Sequence, residues 1–519
     1  MVQRLAVRRE QFPQSTKLPQ RVTTFRSCKV LRHRRTIDAP MSIVTTRGST
    51  LATIATLLLE GLVAVSLVSC KRNEPNSSKP GKPTPVATIA PEKSLMPQSA
   101  CPYGPGAMPK ETLPPNALRG DGIPIDHFVI VMQENRSFDH YFANLTSYGQ
   151  PDADVAGPNA QNPDVNDGNA VVHPFLLPHA CSDDLPHDAK RVREQFHEGK
   201  MDGFVAVANR HGKEAMGHYD EKTLPYYYAL ANLFAIGDRY FASFLGPTWP
   251  NRMFFISGGS FGHISNVRPE TVDERQSVFH QMEKAGKSWI LYSDSPTFEE
   301  QMFPVLRAEK GEHFHNMARF FEAASTGTLP NLAWVESTYG GPLATDEHPP
   351  ADVQLGQKFV ANVIKAVLKS PNWNKTALIF TYDEHGGFYD HVAPPPACAP
   401  VPNAPTAPKN HNIRFDHLGV RVPFVVVSPF AKRHYVSHKT FDHTSVLRLI
   451  QARFDLPAMT ARDANASPPY DFFDFVNPPF VEPPSLPDPV VNQAELVYCE
   501  QEFASHRHGE ETILIPKAQ

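Results

Sequence analysis

Four short apolar runs in this chain stop abruptly at polar or acidic residues, and that punctuation limits the fold more than any other feature. Phe128-Val129-Ile130-Val131-Met132 runs into Gln133-Glu134-Asn135, and Leu332-Ala333-Trp334-Val335 runs into Glu336. Ala377-Leu378-Ile379-Phe380 passes through Thr381-Tyr382 into Asp383-Glu384-His385, and Phe424-Val425-Val426-Val427 ends at Ser428-Pro429. Continuous apolar runs of this length suit strands covered on both faces, as in a parallel sheet. Between the second and third runs, Val353, Phe359, Val360, Val363, Ile364, Val367 and Leu368 recur mostly three and four apart, which predicts a helix. Strand, helix, strand at this spacing is a βαβ unit, and parallel sheets place their chemistry at the carboxyl ends of strands. The expected fold class is α/β, with a mostly parallel central sheet flanked by helices. A further short helix is expected over residues 445–454, capped by Asp442 or Thr444. Proline is abundant, at 51 of 519 residues, against an average of about 5%. It clusters at Pro349-Pro350, at Pro394-Pro395-Pro396 and after Asn477, so long ordered loops and a tail wrapping the surface are expected.

The N-terminus reads as an address. Residues 1–40 hold ten Lys/Arg against two Asp/Glu, a net +8, and the whole chain carries −4, so the remainder carries −12. A basic leader points to targeting, and the acidic remainder argues against nucleic acid as a partner. Met41 opens the more conventional signal: a short polar region with Arg47, then an apolar stretch over 51–68 interrupted by Glu60 and too broken for a comfortable membrane span. Leu67-Val68-Ser69-Cys70 resembles a bacterial lipobox, which implies a lipid anchor at Cys70 and an exported, periplasmic or cell-surface protein; a cleaved secretory signal with an incidental Cys, and so a secreted protein, is the alternative. A Ser/Pro/Lys-rich run follows, so residues 1–70 are read as leader and signal, 71–120 as a flexible tether and 121–519 as the catalytic domain. Four further cysteines, Cys101, Cys181, Cys398 and Cys499, permit two disulfides in an oxidising compartment, with three connectivities open.

Glu134-Asn135 and Asp383-Glu384 are oxygen donors at the ends of two runs far apart in sequence. If those strands are neighbours, the four residues make a hard-ligand cage for a divalent metal. Taken singly, an acidic residue after a strand is more often a helix cap or a solvated turn.

Ile125-Asp126-His127-Phe128-Val129-Ile130-Val131-Met132-Gln133-Glu134-Asn135-Arg136-Ser137-Phe138-Asp139-His140-Tyr141-Phe142 resembles the opening motif of a bacterial phosphoesterase family. That family includes phosphocholine-preferring phospholipases C and a group of acid phosphatases. Asp383-Glu384-His385-Gly386-Gly387-Phe388-Tyr389-Asp390-His391-Val392 resembles its second signature. Gly246-Pro247-Thr248-Trp249-Pro250-Asn251-Arg252 resembles its nucleophile segment, and Asp346-Glu347-His348-Pro349-Pro350 and Phe441-Asp442-His443-Thr444-Ser445 resemble two more. The likeness covers roughly 122 to 475 in the family's order and implies an alkaline-phosphatase-like fold.

The resemblance implies Thr248 as nucleophile, and Glu134, Asn135, Asp383, Glu384 and the Thr248 oxygen as ligands of one divalent metal ion of unknown identity. It implies that Asn251 hydrogen-bonds a non-bridging phosphate oxygen, and that His348 and His187 line the pocket, one of them protonating the leaving oxygen. With 23 histidines in the chain, a given one is more often structural, and His348 has the longer motif. His385, Asp390, His391, Asp442 and His443 are expected to fix loops, and Gly386-Gly387 to need positive φ or close approach to the site. The implied reaction is attack by Thr248 on phosphorus, a phosphothreonine intermediate, then hydrolysis. The substrate is a phosphate ester, with a slight preference for phospholipid because the nucleophile is Thr. An acid phosphatase is the alternative, and a phospholigand-binding lipoprotein a distant one. Tyr226-Tyr227-Tyr228 is a candidate exposed aromatic cluster for a membrane, or equally one face of an amphipathic helix.

Overall fold

The computed structural model describes residues 100–506, apart from 169, 268–271, 274 and 402–412. The basic leader, the Cys70 lipobox and tether residues 71–99 lie outside the described residues.

The apolar runs assemble into one eight-stranded sheet. Its strands are β1 (His127–Gln133), β2 (Ala235–Gly237), β3 (Trp289–Tyr292), β4 (Phe314–His315), β5 (Leu332–Val335), β6 (Thr376–Tyr382), β7 (Phe424–Val427) and β8 (Tyr435–Ser437). The spatial order is β8-β2-β7-β6-β1-β5-β3-β4. β6, β1, β5, β3 and β4 pair in parallel, and the β1, β5, β6 and β7 runs are buried, as strands covered on both faces must be. β7 runs antiparallel to both neighbours, so Ser428-Pro429 falls at the opposite edge from the acidic strand ends. An apolar run encodes burial on two faces but not direction, and direction is set by how the chain returns.

Helices cover the sheet: α1 (Pro225–Leu233), α2 (Thr248–Ser257), α3 (Val353–Leu368), α4 (His443–Phe454) and α5 (Gln493–His506). α3 is the crossover predicted from periodicity. It joins β5 to β6, with β1 lying between them, and buries Val360, Val363, Ile364 and Val367 under an Asp352 cap. Such a cap is worth about 1 kcal/mol. Of the two candidate caps for α4, Asp442 does the capping, accepting from the Ser445 N–H at 3.2 Å and the Thr444 hydroxyl at 2.6 Å. The three tyrosines of α1 are all buried, Tyr228 completely, so Tyr226-Tyr227-Tyr228 is core and not an exposed membrane-facing patch.

The disulfides are Cys101–Cys398 and Cys181–Cys499. The first lies at the start of a segment, within residues 100–120, that is docked onto the domain. Gly106 donates to Ala458 O at 2.8 Å, Ala458 donates back to Ala107 O at 2.9 Å, and Pro109–Thr112 is helical. The second disulfide pins α5. The tail reaching it packs as expected, with Phe480 buried and its carbonyl accepting from Trp373 Nε1 at 2.9 Å. Among the described residues no helix is long and apolar enough to cross a membrane.

Asp390 and His391 fix loops. Arg421 donates to Asp390 Oδ1 at 2.8 Å and Asp139 Oδ1 at 3.1 Å, and the two His391 ring nitrogens face Asp139 Oδ2 at 2.7 Å and Asp154 Oδ1 at 3.0 Å. Burial pushes His391 toward the neutral form, but the hydrogen bond and charge of Asp139, with Asp390, outweigh it and raise its pKa to about 9. A raised pKa stabilises the fold fully below the unfolded value of about 6.5 and loses that contribution as pH climbs to the folded value, at most about 3 kcal/mol. The melting-temperature gap between wild type and His391→Gln should therefore be widest near pH 6 and narrow toward pH 10. A gap that stays constant over that range would refute the pairing.

Candidate active site

β1 and β6 are direct neighbours with Gln133 opposite Tyr382, so the residues that follow them leave the sheet side by side. Asn135 turns off β1 at φ +61, and its N–H donates to Asp383 Oδ1 at 3.0 Å. The same oxygen accepts from the Glu384 N–H at 2.6 Å, and Glu384 Oε2 accepts from the Gly386 N–H at 2.9 Å. Gly386 and Gly387 have φ +64 and +80, and a Cβ on Gly386 would lie 2.2 Å from Asn135 O. Both features expected of this pair are present, because only glycine lets the loop after β6 close onto the loop after β1.

Thr248 enters from the other side as the first residue of α2, buried, with Oγ1 3.5 Å from Asn135 Oδ1. Asn251 is placed differently from expectation. Its Oδ1 accepts from the Phe244 N–H at 2.9 Å, and its Nδ2 donates to the carbonyls of Gly246 at 2.9 Å and Pro247 at 3.0 Å. Its amide is therefore committed to the turn that presents Thr248 and is not free for a phosphate oxygen.

His187 and His348 come together, ring centroids 6.0 Å apart. Each donates Nδ1–H to a backbone carbonyl at 2.6 Å, Leu185 and Pro349 respectively, which turns Nε2 inward. His187 Nε2 faces Asn135 Nδ2 at 3.2 Å and Glu384 Oε1 at 3.8 Å, while His348 Nε2 is buried without a partner. Burial disfavours the charged form of His187, but Glu384 and Asp184 raise its pKa to about 9. Asp184 gathers with the two histidines, their ligand-capable atoms all within 4.8 Å of one another. His385 faces Glu384 Oε2 at 3.2 Å and Gln195 Oε1 at 2.9 Å. His443 Nε2 donates to Asp383 O at 2.8 Å, and burial holds His443 neutral, its pKa down to about 4.

Arg252, one helical turn after Thr248, joins this cluster without having been assigned a role from the sequence. Fully buried, it donates to Glu134 Oε1 at 2.8 Å and to both Glu336 oxygens at 2.9 Å, with Glu299 at 3.4 Å and Asp383 at 3.8 Å. Glu336 carried a signal, since it ends an apolar run as Glu134 and Asp383 do; Glu299 carried none. One guanidinium does not balance these four carboxylates and Glu384. Burial, and then Asp383, raise the pKa of Glu134 well above the carboxylate range, while burial and Glu384 raise Asp383 to about 6. Asp383 Oδ2 and Glu384 Oε1 are buried with no hydrogen-bond partner. Excess negative charge in a dry site and two orphaned hard oxygens, beside an amide oxygen and a hydroxyl, fit a divalent cation. A separate cavity of about 650 Å³ opens beside the His348 loop, lined by residues including Pro350, Ser182, Glu214, His211 and Tyr498.

The sequence pattern of the Phosphoesterase family matches residues 125–457. Non-specific phospholipase C1 of Arabidopsis thaliana is 34% identical over 414 residues, covering 73% of this chain and 76% of the relative. Phospholipase C B of Mycobacterium tuberculosis is 32% identical over 432 residues, covering 71% and 81%. Among solved structures, a lipoteichoic acid synthase from Listeria monocytogenes aligns over 75% of this chain and 94% of its own, at 9% identity and a TM-score of 0.33. A match across most of the domain, with relatives above 30% identity over most of their length, leaves one assignment: the chain belongs to the Phosphoesterase family and is a hydrolase of phosphate esters.

Proposed function

We propose that this protein is an exported phospholipase C that cleaves the phosphate ester of phosphocholine-type lipids through a phosphothreonine at Thr248. The observation carrying the proposal is the approach of the Thr248 hydroxyl, 3.5 Å from Asn135 Oδ1, to the cluster with the orphaned oxygens of Asp383 and Glu384. The names of the relatives favour a lipid substrate.

Glu134, Asn135, Asp383, Glu384 and Thr248 would hold the divalent cation, which when bound neutralises phosphate charge and lowers the pKa of the Thr248 hydroxyl. The Thr248 alkoxide attacks phosphorus as the bond to the alcohol oxygen breaks, and is freed as the alkoxide in the second step; the positive end of α2 favours the anion gathering at its first turn. The leaving oxygen takes a proton from His348 Nε2, with His187 beside it. Water then attacks the same phosphorus, returning a proton to His348 and freeing Thr248 and the phosphomonoester. Two in-line displacements retain configuration at phosphorus. Asn251 keeps the Thr248 turn rigid, and Arg252 holds Glu134 and Asp383 in place and opposes the burial that favours their protonated forms.

Export is inferred from the basic leader with its apolar core and from the two disulfides, and the lipid anchor from Leu67-Val68-Ser69-Cys70. Cys70→Ala should abolish incorporation of labelled fatty acid into the protein in a bacterial host; retained label would remove the anchor.

With divalent metal, the enzyme should release p-nitrophenol from p-nitrophenylphosphocholine faster than from p-nitrophenyl phosphate, and diacylglycerol from phosphatidylcholine. The reverse preference would make it an acid phosphatase. Thr248→Ala should lose at least about a thousandfold in kcat with its fold intact, whereas activity near wild type would dismiss Thr248 as nucleophile. Divalent metal should raise the melting temperature of the stripped protein, by about 2.7 kcal/mol of stability at a hundred times Kd, and Asp383→Asn should blunt that rise.

A further inference from the structure

Glu347, which the mechanism above leaves idle, is built into the core in an unusual way. Its side chain is fully buried and its backbone is left-handed, φ +69, a conformation that a non-glycine residue holds only where its surroundings over-determine it. The carboxylate accepts hydrogen bonds from the hydroxyls of Tyr141 at 2.5 Å, Tyr382 at 2.6 Å and Tyr227, and from Gln133 Nε2 at 3.3 Å. Its main-chain oxygen accepts from Arg136 Nε at 3.0 Å and Nη2 at 2.6 Å. α3 makes room for it at Gly356, where an added Cβ would lie 2.1 Å from Glu347 Cγ and 2.5 Å from Oε1.

The donors explain what the cage is for. Gln133 immediately precedes Glu134-Asn135, Tyr382 immediately precedes Asp383-Glu384, Tyr141 lies in the short helix Phe138–Phe142 that follows β1, and Tyr227 is on α1. One carboxylate thus ties both metal-ligand strand ends to the loop that carries His348. On the other side of Glu347, Asp346 O accepts from the Glu134 N–H at 2.9 Å, and Asp346 Oδ1 accepts from the His348 N–H at 3.0 Å. His348 Nδ1 is held by the Pro349 carbonyl at 2.6 Å, so its imidazole has no freedom apart from the loop Glu347 anchors. A buried carboxyl group held by phenols on three elements costs more than an apolar residue packed in its place, and it is retained where its directional bonds set a geometry.

We infer that Glu347 is a positioning residue for proton delivery: through its tyrosine cage it sets where His348 Nε2 stands relative to the cluster at the ends of β1 and β6. The inference rests on the reading of His348 as the acid that protonates the leaving oxygen. Glu347 touches neither substrate nor reacting atoms.

The test exploits leaving groups. A p-nitrophenolate departs without a proton, whereas an alkyl alkoxide needs one, so misplacing the acid should penalise only the second. Wild type, His348→Ala, Glu347→Gln and Gly356→Ala are compared on p-nitrophenylphosphocholine and on an alkyl phosphocholine ester, with cooperative melting checked for each. Glu347→Gln should lower kcat on the alkyl ester by about 10- to 100-fold, change kcat on the nitrophenyl ester by less than about threefold, and leave KM for both within about twofold. Gly356→Ala, on a helix that otherwise welcomes alanine, should push on the caged side chain and give the same selective loss in smaller measure, which keeps the test open if Glu347→Gln folds poorly. Equal losses on both esters in the folded variants, or none, would overturn the positioning role. If His348→Ala itself shows no leaving-group selectivity, the acid assignment fails first. If His348→Ala is selective and the Glu347 and Gly356 variants are not, only the present inference fails.

Discussion

The site depends on one guanidinium. Arg252 stands fully buried against Glu134, Glu336, Glu299 and Asp383, and it also donates to Met132 O on β1 at 3.2 Å. Coulomb repulsion among carboxylates at this burial would drive them to protonate or separate, and burial already lifts Glu336 to about 8 despite the opposing pull of Arg252. Because Arg252 lies one turn after Thr248 on α2, the same contact that compensates the charge also sets Thr248 against the strand ends. Removing such a partner from a buried network typically costs about 3–5 kcal/mol, since it strands the charges it served. Arg252 leaves the cluster negative overall, which is the condition a cation site needs.

Around that core the residues near Thr248 are oriented by hydrogen bonds to the backbone and to one another. Asn251 closes the turn before Thr248, Asp383 Oδ1 ties together the N–H groups of Asn135 and Glu384, and His443 holds the Asp383 carbonyl. The two pocket histidines are oriented by the carbonyls of Leu185 and Pro349, and the second is anchored again through its neighbour Glu347. Rigid placement matters because the energetic return from an oriented nucleophile and a positioned acid falls steeply with misplacement of about an ångström. The long proline-rich connections are consistent with this: pinned by disulfides and by the Arg421–Asp139–Asp390–His391 cluster, they serve as scaffold.

What the residues determined unaided was local or periodic. Burial on both faces was written in the four apolar runs, the crossover helix in its three-and-four spacing, and oxygen-donor chemistry in the acidic residues ending β1 and β6. Gly386-Gly387 announced a backbone requirement because glycine is the one residue that meets it without strain. Pairing was decided only by the fold: which strand lies beside which, that β7 runs antiparallel, which cysteines meet, and that the tyrosines of α1 face inward. Asn251 and Glu347 make the same point at the site. An amide three residues after Thr248 can serve a ligand or its own turn, and a glutamate beside a histidine can face water or three phenols. Partners far apart in sequence decide between these, and no local pattern records the distances that tertiary packing creates.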